Sequence, residues 1–537
     1  MKKLKLNTFR TLSQTAHIHV GDKTVKLKEE RDLFSRFLII HGSRPGLVPK
    51  MEETIGEYEM SVVPRSLFAA DGSLLIPQNK HKMMTLLEQF QSENPAPSIT
   101  TTSSSKVLII DAMAFVHPLK KSPATRTLRD LQDVFISKIE NRLQGFDEGR
   151  VVFDTYLDTS LKDKTRAKRS SSNAKEFKLH TDMILNMSMK DLMSSSRNKR
   201  QLTIIFAKGL IQHFIDKIIK LHVVYDDKIV GADKSEEKHS HEEADTLIPQ
   251  QVIASAAESP DKEIHVLCQD TDVFTYLLDL VATEKINKQT SLKLHAGKGF
   301  SRVIDIRERV HVLGEPKCRG LVGFHHFTGA DWGGKFVGKS KEAWTKAYLA
   351  LCDEDPALQC FRKLCEENIQ NELIEARLPA EWRPLERFVC KVYSQNGPLS
   401  IPKLRWELFR TKNLEGEMLP PTLSSLLPHI RRTNYMAKVS KSYKTACPEL
   451  PQIEENGWSV ESNTYSPIRC LALPAPKAVI ELTKCSCRVS CSGNCGCSRN
   501  NLPCTPLCKC YSSGCSNTTS LTNSLNLDDD DDEDGEL

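Results

Sequence analysis

Glu243 and Asp245 stand two apart where an apolar helical pattern begins, and Asp270 and Asp272 stand two apart just after the β-branched run Ile264 to Cys268. One pair opens a helix and the other closes a buried strand, so the two pairs can meet at one point. Four carboxylates in one place repel each other unless cations neutralise them, and hard divalent ions bound through oxygen are natural occupants. The same residues also suit a helix cap and a turn, because Ser240 and Glu243 have the spacing of a capping box.

The elements that must carry these acids can be read around them. Lys106 to Asp111, KVLIID, is a short buried strand with an acid at its end, and Arg150 to Asp154, RVVFD, is a second. Between them Leu128, Leu131, Val134, Phe135 and Leu143 mark a helical stripe, and Leu202, Ile205, Phe206, Leu210, Phe214 and Ile218 mark another. HVVYDDKIV, residues 222–230, reads as one strand. Strands alternating with helices predict an α/β fold, a parallel sheet with helices on both faces. Functional groups of such sheets gather beyond the carboxyl ends of the strands, where Asp111, Asp154, Asp270 and Asp272 fall.

The motifs IIDAMAF, VVFDTY, EEAD, CQDTD and TGADW, in that order, resemble the flap-endonuclease (XPG-type) group of PIN-like nucleases over roughly residues 105–350. The resemblance implies a PIN-like fold in which Asp111, Asp154, Glu243, Asp245, Asp270, Asp272 and Asp331 are catalytic and hold about two Mg²⁺ or Mn²⁺ ions for phosphodiester hydrolysis. It also implies phosphate contacts from the basic segment LKDKTRAKRS, through Lys162, Arg166, Lys168 and Arg169; by itself such a run reads as a solvated helix face or a localisation signal. The chain departs from the group in placing about 110 residues before Asp111 and in keeping only Gly334, Gly338 and Lys339 of the glycine-rich hairpin that follows the last acid. His325 and His326 are read as structural, and the metal site does not need His239 or His241.

Nine of the 17 cysteines crowd between Cys485 and Cys515: Cys485, Cys487, Cys491, Cys495, Cys497, Cys504, Cys508, Cys510 and Cys515. Neighbouring C-x-C thiols cannot easily close on each other as disulfides, whereas thiolates at this spacing can share about three Zn²⁺ ions. The run resembles the tesmin-like CXC domain, which implies DNA binding, with Lys484, Arg488, Arg499 and Lys509 as phosphate contacts. Here there is one copy rather than two, and Asn494 replaces the DNA-inserting tyrosine. The joined chain looks like animal proteins that combine a PIN-like nuclease domain with a CXC cluster, some of them linked to mobile elements.

The remaining sequence sets bounds. Net charge is +5, unevenly placed, with an acidic tail at Asp528 to Asp534. No run approaches a membrane span, and the cysteine distribution suits a reducing compartment. The expected organisation is an N-terminal region of unknown function (1–100), a nuclease-like domain (101–350), a helical region turning Pro-rich and irregular after Leu419 (351–479), a zinc module (480–517) and a disordered tail (518–537). The function expected is a metal-dependent nuclease acting on DNA in the nucleus; a non-catalytic DNA- or chromatin-binding scaffold and an RNA-directed nuclease are the alternatives. Protein partners are not legible. Residues 480–517 hold too few apolar side chains for a core of their own, so the isolated segment is expected to fold only with zinc. Metal analysis should find about three zincs in it; a segment that stays folded in chelator would contradict this.

Overall fold

The computed structural model describes residues 16–20, 23–27, 31–91, 105–156, 175–369, 378–461 and 464–518, except 45, 78, 124, 332–333, 368, 413–415, 455 and 492–493. The basic residues Lys162, Arg166, Lys168 and Arg169 and the acidic tail from residue 519 lie outside these, as does most of the polar linker at 96–105.

The centre is a sheet of eight strands: β1 (Lys106–Asp111), β2 (Glu148–Val152), β3 (Lys220–Tyr225), β4 (Lys228–Val230), β5 (Glu236–Lys238), β6 (Glu263–Leu267), β7 (Ser291–Ala296) and β8 (Arg302–Asp305). Their spatial order is β8-β7-β6-β1-β2-β3-β4-β5, with β7-β6-β1-β2-β3 parallel and the outer strands antiparallel. This is the mixed α/β architecture the alternation of elements predicts. In β1, Val107 and Ile109 enter one core and Leu108 and Ile110 the other, because strand side chains alternate faces. Both faces are covered, which is why the parallel strands read as continuous apolar runs.

One face is covered by α3 (Leu128–Leu143), started by a Thr127–Asp130 capping box, and α4 (Ser196–Phe214). The other carries α5 (Ala244–Glu258), α6 (Thr271–Ala282), α7 (Glu315–Phe327), α8 (Lys341–Leu349) and α9 (Pro356–Glu366). Two further regions join that second core. From the N-terminal side come Ile55, Leu67, Phe68 and α2 (His81–Gln89) with Met83, Met84 and Leu87; from the C-terminal side comes α10 (Leu423–Ser440) with Leu426, Leu427 and Ile430. Buried Arg405 fastens the two, donating to Ile55 O at 2.9 Å, Tyr58 O at 3.2 Å and Pro420 O. Glu59 accepts from the Thr422 N–H at 2.8 Å. The N-terminal α1 (Arg31–Ser43) packs Leu33, Phe37 and Ile40 against Val479 and Ile480 of α11 (Lys477–Glu481), just before the cysteine run.

Two expectations are corrected. Residues 222–230 are not one strand but the hairpin β3–β4, turned at Asp226 and Asp227. Asp226 takes φ +54°, a left-handed value that aspartate tolerates better than most residues, and its carboxylate accepts from Arg200 Nε at 2.9 Å. The stretch after Leu419 is not irregular but holds the 18-residue α10. Pro428 inside it cannot donate to the Ser424 carbonyl, and the Leu471 N–H takes that acceptor at 3.0 Å.

Gly323 lets α7 and α9 touch backbone to backbone: a Cβ there would stand 2.1 Å from Phe361 O. Gly323→Ala should therefore force these helices apart and destabilise the fold by about 1–3 kcal/mol. A thermal midpoint equal to the parent's would mean that the helices do not meet this closely.

Candidate metal centre

The acids come together because strand ends and helix starts meet at one sheet edge. Asp111 closes β1 opposite Val152, and Asp154 lies two residues beyond that partner. β6, beside β1, leads through Cys268 into Asp270, the N-cap of α6, whose Oδ1 accepts the Asp272 N–H at 2.9 Å. Asp154 Oδ1 accepts the Ala244 N–H at 3.0 Å, which draws the start of α5, with Glu243 and Asp245, to the same edge. Asp111 Oδ1 accepts N–H groups of Met113 at 2.9 Å and Ala114 at 3.4 Å. Each site acid except Asp331 therefore sits on or beside a backbone start whose N–H groups favour negative charge.

Oxygens of Asp245, Asp270 and Asp272 lie within 4.8 Å of one another. A single oxygen-bound Mg²⁺ or Ca²⁺ spans about 4–5 Å between opposite ligands, so the donor set fits a hard cation. A cation of the protein's own stands in that span. The Lys80 ammonium lies 2.9 and 3.2 Å from the two Asp270 oxygens, 3.2 Å from Asp272 Oδ1 and 3.1 Å from Asp331 Oδ1. Asp272 Oδ1 also meets His325 Nε2 at 2.7 Å. Behind them the buried Lys341 donates to His325 O, Thr328 Oγ1 and Gly329 O at 2.8, 2.8 and 2.9 Å, fixing the turn that leads to Asp331.

The electrostatics are those of crowded, buried charge. Burial, and then Asp154 beside it, push Asp111 up to about 7. Burial and Asp272 push Asp270 up to about 6, against the pull of Lys80. Burial with Asp270, Glu243 and Asp272 raises Asp245 well above the carboxylate range. Asp272 goes the other way: burial would raise it, but Lys80 and His325 hold it well below. Burial and Lys341 lower His325 to about 4, so its ring is neutral near pH 7 and Nε2 must carry the hydrogen donated to Asp272. Burial alone would lower Lys80, yet the four surrounding aspartates raise it, and it stays charged.

Asp111, Asp154, Glu243, Asp245, Asp270, Asp272 and Asp331 are thus linked by hydrogen bonds or direct electrostatic neighbours around one edge. Three residues escape the sequence reading. Lys80 comes from a region in which no chemistry was legible. His325 is not merely structural, since it binds a site carboxylate. Cys268 joins two acids: its thiol lies 3.7 Å from Asp111 Oδ2, and its sulfur accepts the Asp270 N–H at 3.4 Å. His241 serves the frame instead, between Thr246 Oγ1 at 3.0 Å and Thr445 O at 2.7 Å.

The cysteine run folds on its sulfurs. Cys485 lies 3.6, 3.7 and 3.4 Å from the sulfurs of Cys491, Cys504 and Cys510, and Cys497 lies 3.6 Å from Cys508. Zn–S bonds of about 2.3 Å set thiolates about 3.8 Å apart at a tetrahedron's edge, so these separations suit zinc. Disulfide sulfurs approach to about 2.05 Å, and all nine thiols are free. Four-sulfur groups form around Cys485, with Cys487, Cys491 and Cys495, with Cys491, Cys504 and Cys510, and with Cys497, Cys504 and Cys508. Lys484, Arg488, Arg499 and Lys509 are exposed around them. Arg44, 3% exposed after α1, pins the module by donating to Pro503 O at 2.8 Å and Thr483 O at 2.9 Å.

No protein-family model matches the chain, and no curated protein matches it. Among solved structures, the catalytic core of Rad2 in complex with DNA substrate is similar over 60% of this chain and 77% of that chain, with 12% identity and a TM-score of 0.28.

The raised Asp111 has a thermodynamic signature. An acid whose folded pKa exceeds its unfolded value contributes stability below about pH 4, and loses it as pH rises through the folded value near 7. Without added divalent ions, Asp111→Asn should melt higher than the parent at pH 8, by the equivalent of a few kcal/mol, with the gap closing toward pH 4. A gap independent of pH would show that Asp111 is not under this strain.

Proposed function

We propose that this chain is a divalent-metal-dependent nuclease acting on DNA, carried to its substrate in the nucleus by the zinc-bound cysteine module. One observation carries the reading: carboxylates from two strand ends, the starts of two helices and a further turn meet at the carboxyl edge of a parallel sheet, in a group that needs cations. Asp111, Asp154, Glu243, Asp245, Asp270, Asp272 and Asp331 would hold Mg²⁺ or Mn²⁺. The bound ion supplies a charge-neutralised place for a phosphodiester and an activated water. The chain's own residues do the rest. Backbone N–H groups of Met113, Ala114 and Ala244 aim the Asp111 and Asp154 carboxylates. His325 fixes the Asp272 oxygen, and Lys341 fixes the turn before Asp331. Lys162, Arg166, Lys168 and Arg169, together with Lys484, Arg488, Arg499 and Lys509, would meet phosphates; such contacts position nucleic acid without choosing its sequence. Carboxylate–metal chemistry does not select the sugar, so RNA is the first competitor substrate to include.

A second reading has its own support. Lys80 neutralises part of the acidic group, as expected of a binding protein that keeps the site only as a scaffold. Purified full-length protein with Mn²⁺ and labelled single-stranded, duplex and flapped DNA, beside the RNA equivalents, separates the readings. Asp154→Ala and Asp270→Ala should abolish cleavage, by at least about a hundredfold on the scale of lost electrostatic stabilisation, while nucleic-acid binding stays near the parent's. Equal cleavage by Asp270→Ala would place the activity elsewhere.

A further inference from the structure

We propose that Lys80 is a resident cation of the acidic centre, occupying the place of a second metal, so that the centre takes one divalent ion and not two. The inference rests on the metal-site reading above and assigns the cations within it.

The ammonium has three hydrogens; it donates to Asp270 Oδ1 at 2.9 Å, Asp270 Oδ2 at 3.2 Å and Asp272 Oδ1 at 3.2 Å, and pairs with the Asp331 carboxylate at 3.1 Å. Asp270 turns both oxygens to Lys80, and its Oδ1 also accepts the Asp272 N–H. A Mg²⁺ or Mn²⁺ bound to these same oxygens would sit about 2.1 Å from each and fall in the space of the nitrogen. The two cations are mutually exclusive there.

Lys80 does not arrive from a loose loop. It is the N-cap of α2, whose Met83, Met84 and Leu87 are buried in the main core. Asn79, at φ +63°, turns the chain into that helix, and Arg309 holds the far end by donating to Glu88 O at 2.8 Å and Phe90 O at 3.1 Å. The backbone therefore delivers the side chain from a fixed point. Within this proposal the one divalent ion would be held by the acids outside the Lys80 contacts, Asp111, Asp154, Glu243 and Asp245.

An ammonium offers one positive charge and directed hydrogen bonds, but it cannot bind a water by coordination. Within the nuclease reading Lys80 would keep Asp270, Asp272 and Asp331 neutralised, with no hydrogen left for a substrate phosphate, and the remaining acids would hold the single ion.

Stoichiometry tests this without reference to cleavage. The full chain with its cysteine module loaded with zinc is titrated with Mn²⁺ by calorimetry, and the bound ion is read by electron paramagnetic resonance. The parent and Lys80→Arg should each bind one magnetically isolated Mn²⁺, and Lys80→Gln should bind two that are spin-coupled. Two ions in the parent, or one in both the parent and Lys80→Gln, overturns the assignment of Lys80 and leaves the metal site standing. No ion in any of the three overturns the metal-site reading and this inference with it. Should Lys80→Gln fail to fold, Lys80→Met takes its place in the same comparison.

Discussion

Mutual repulsion among buried carboxylates is the constraint around which this protein is arranged. Seven acids at one sheet edge are tolerable only where something positive faces each of them. The fold supplies that in several forms: backbone N–H groups opening α5 and α6 and following Asp111, the neutral imidazole of His325, and the ammonium of Lys80. What these leave uncompensated is visible in the upward displacement of Asp111, Asp245 and Asp270. A polar site that is strained when empty and relaxed by cations binds them at the expense of fold stability, the usual exchange between stability and activity.

The acids were legible in the sequence because their signal is local. A short apolar run followed by Asp marks a strand end, and a pair of acids two apart before a helical stripe marks a helix start. Their partners were not legible, for equally physical reasons. Lys80 is 190 residues from Asp270, and nothing in PQNKHKMM distinguishes it from any lysine before an exposed helix. His325 lies on the buried face of α7, where a histidine reads as packing. The 222–230 hairpin was hidden because its two-aspartate turn interrupts a continuous β-branched run. The helix α10 was hidden because Pro420, Pro421 and Pro428 argue against helix locally, while the group that takes up the Ser424 carbonyl comes from Leu471.

The cysteine module was legible in full as a spacing pattern and invisible as a docked part. Its sulfurs cluster at separations that zinc requires, and short-range spacing sets them. Its placement depends on Arg44, 459 residues before Pro503, and on α1 packing against α11. The same N-terminal stretch that holds the module therefore also delivers Lys80 to the acids. The cysteine cluster and the acidic cluster share one mechanical support.

That support has a cost in time. Ile55 meets Arg405 across 350 residues, and Arg44 meets Pro503 across 459. At about 5–20 residues per second, the ribosome leaves Ile55 without its partner for roughly 18 to 70 seconds. Through that interval Phe68, Met83 and Leu87 are apolar side chains with no completed core to enter. Until Arg405 and α10 emerge, that apolar surface has no completed core to cover it. The Lys80–Asp331 pair likewise cannot form until Asp331 has been made, so the acidic centre is completed by the chain closing back on a much earlier segment.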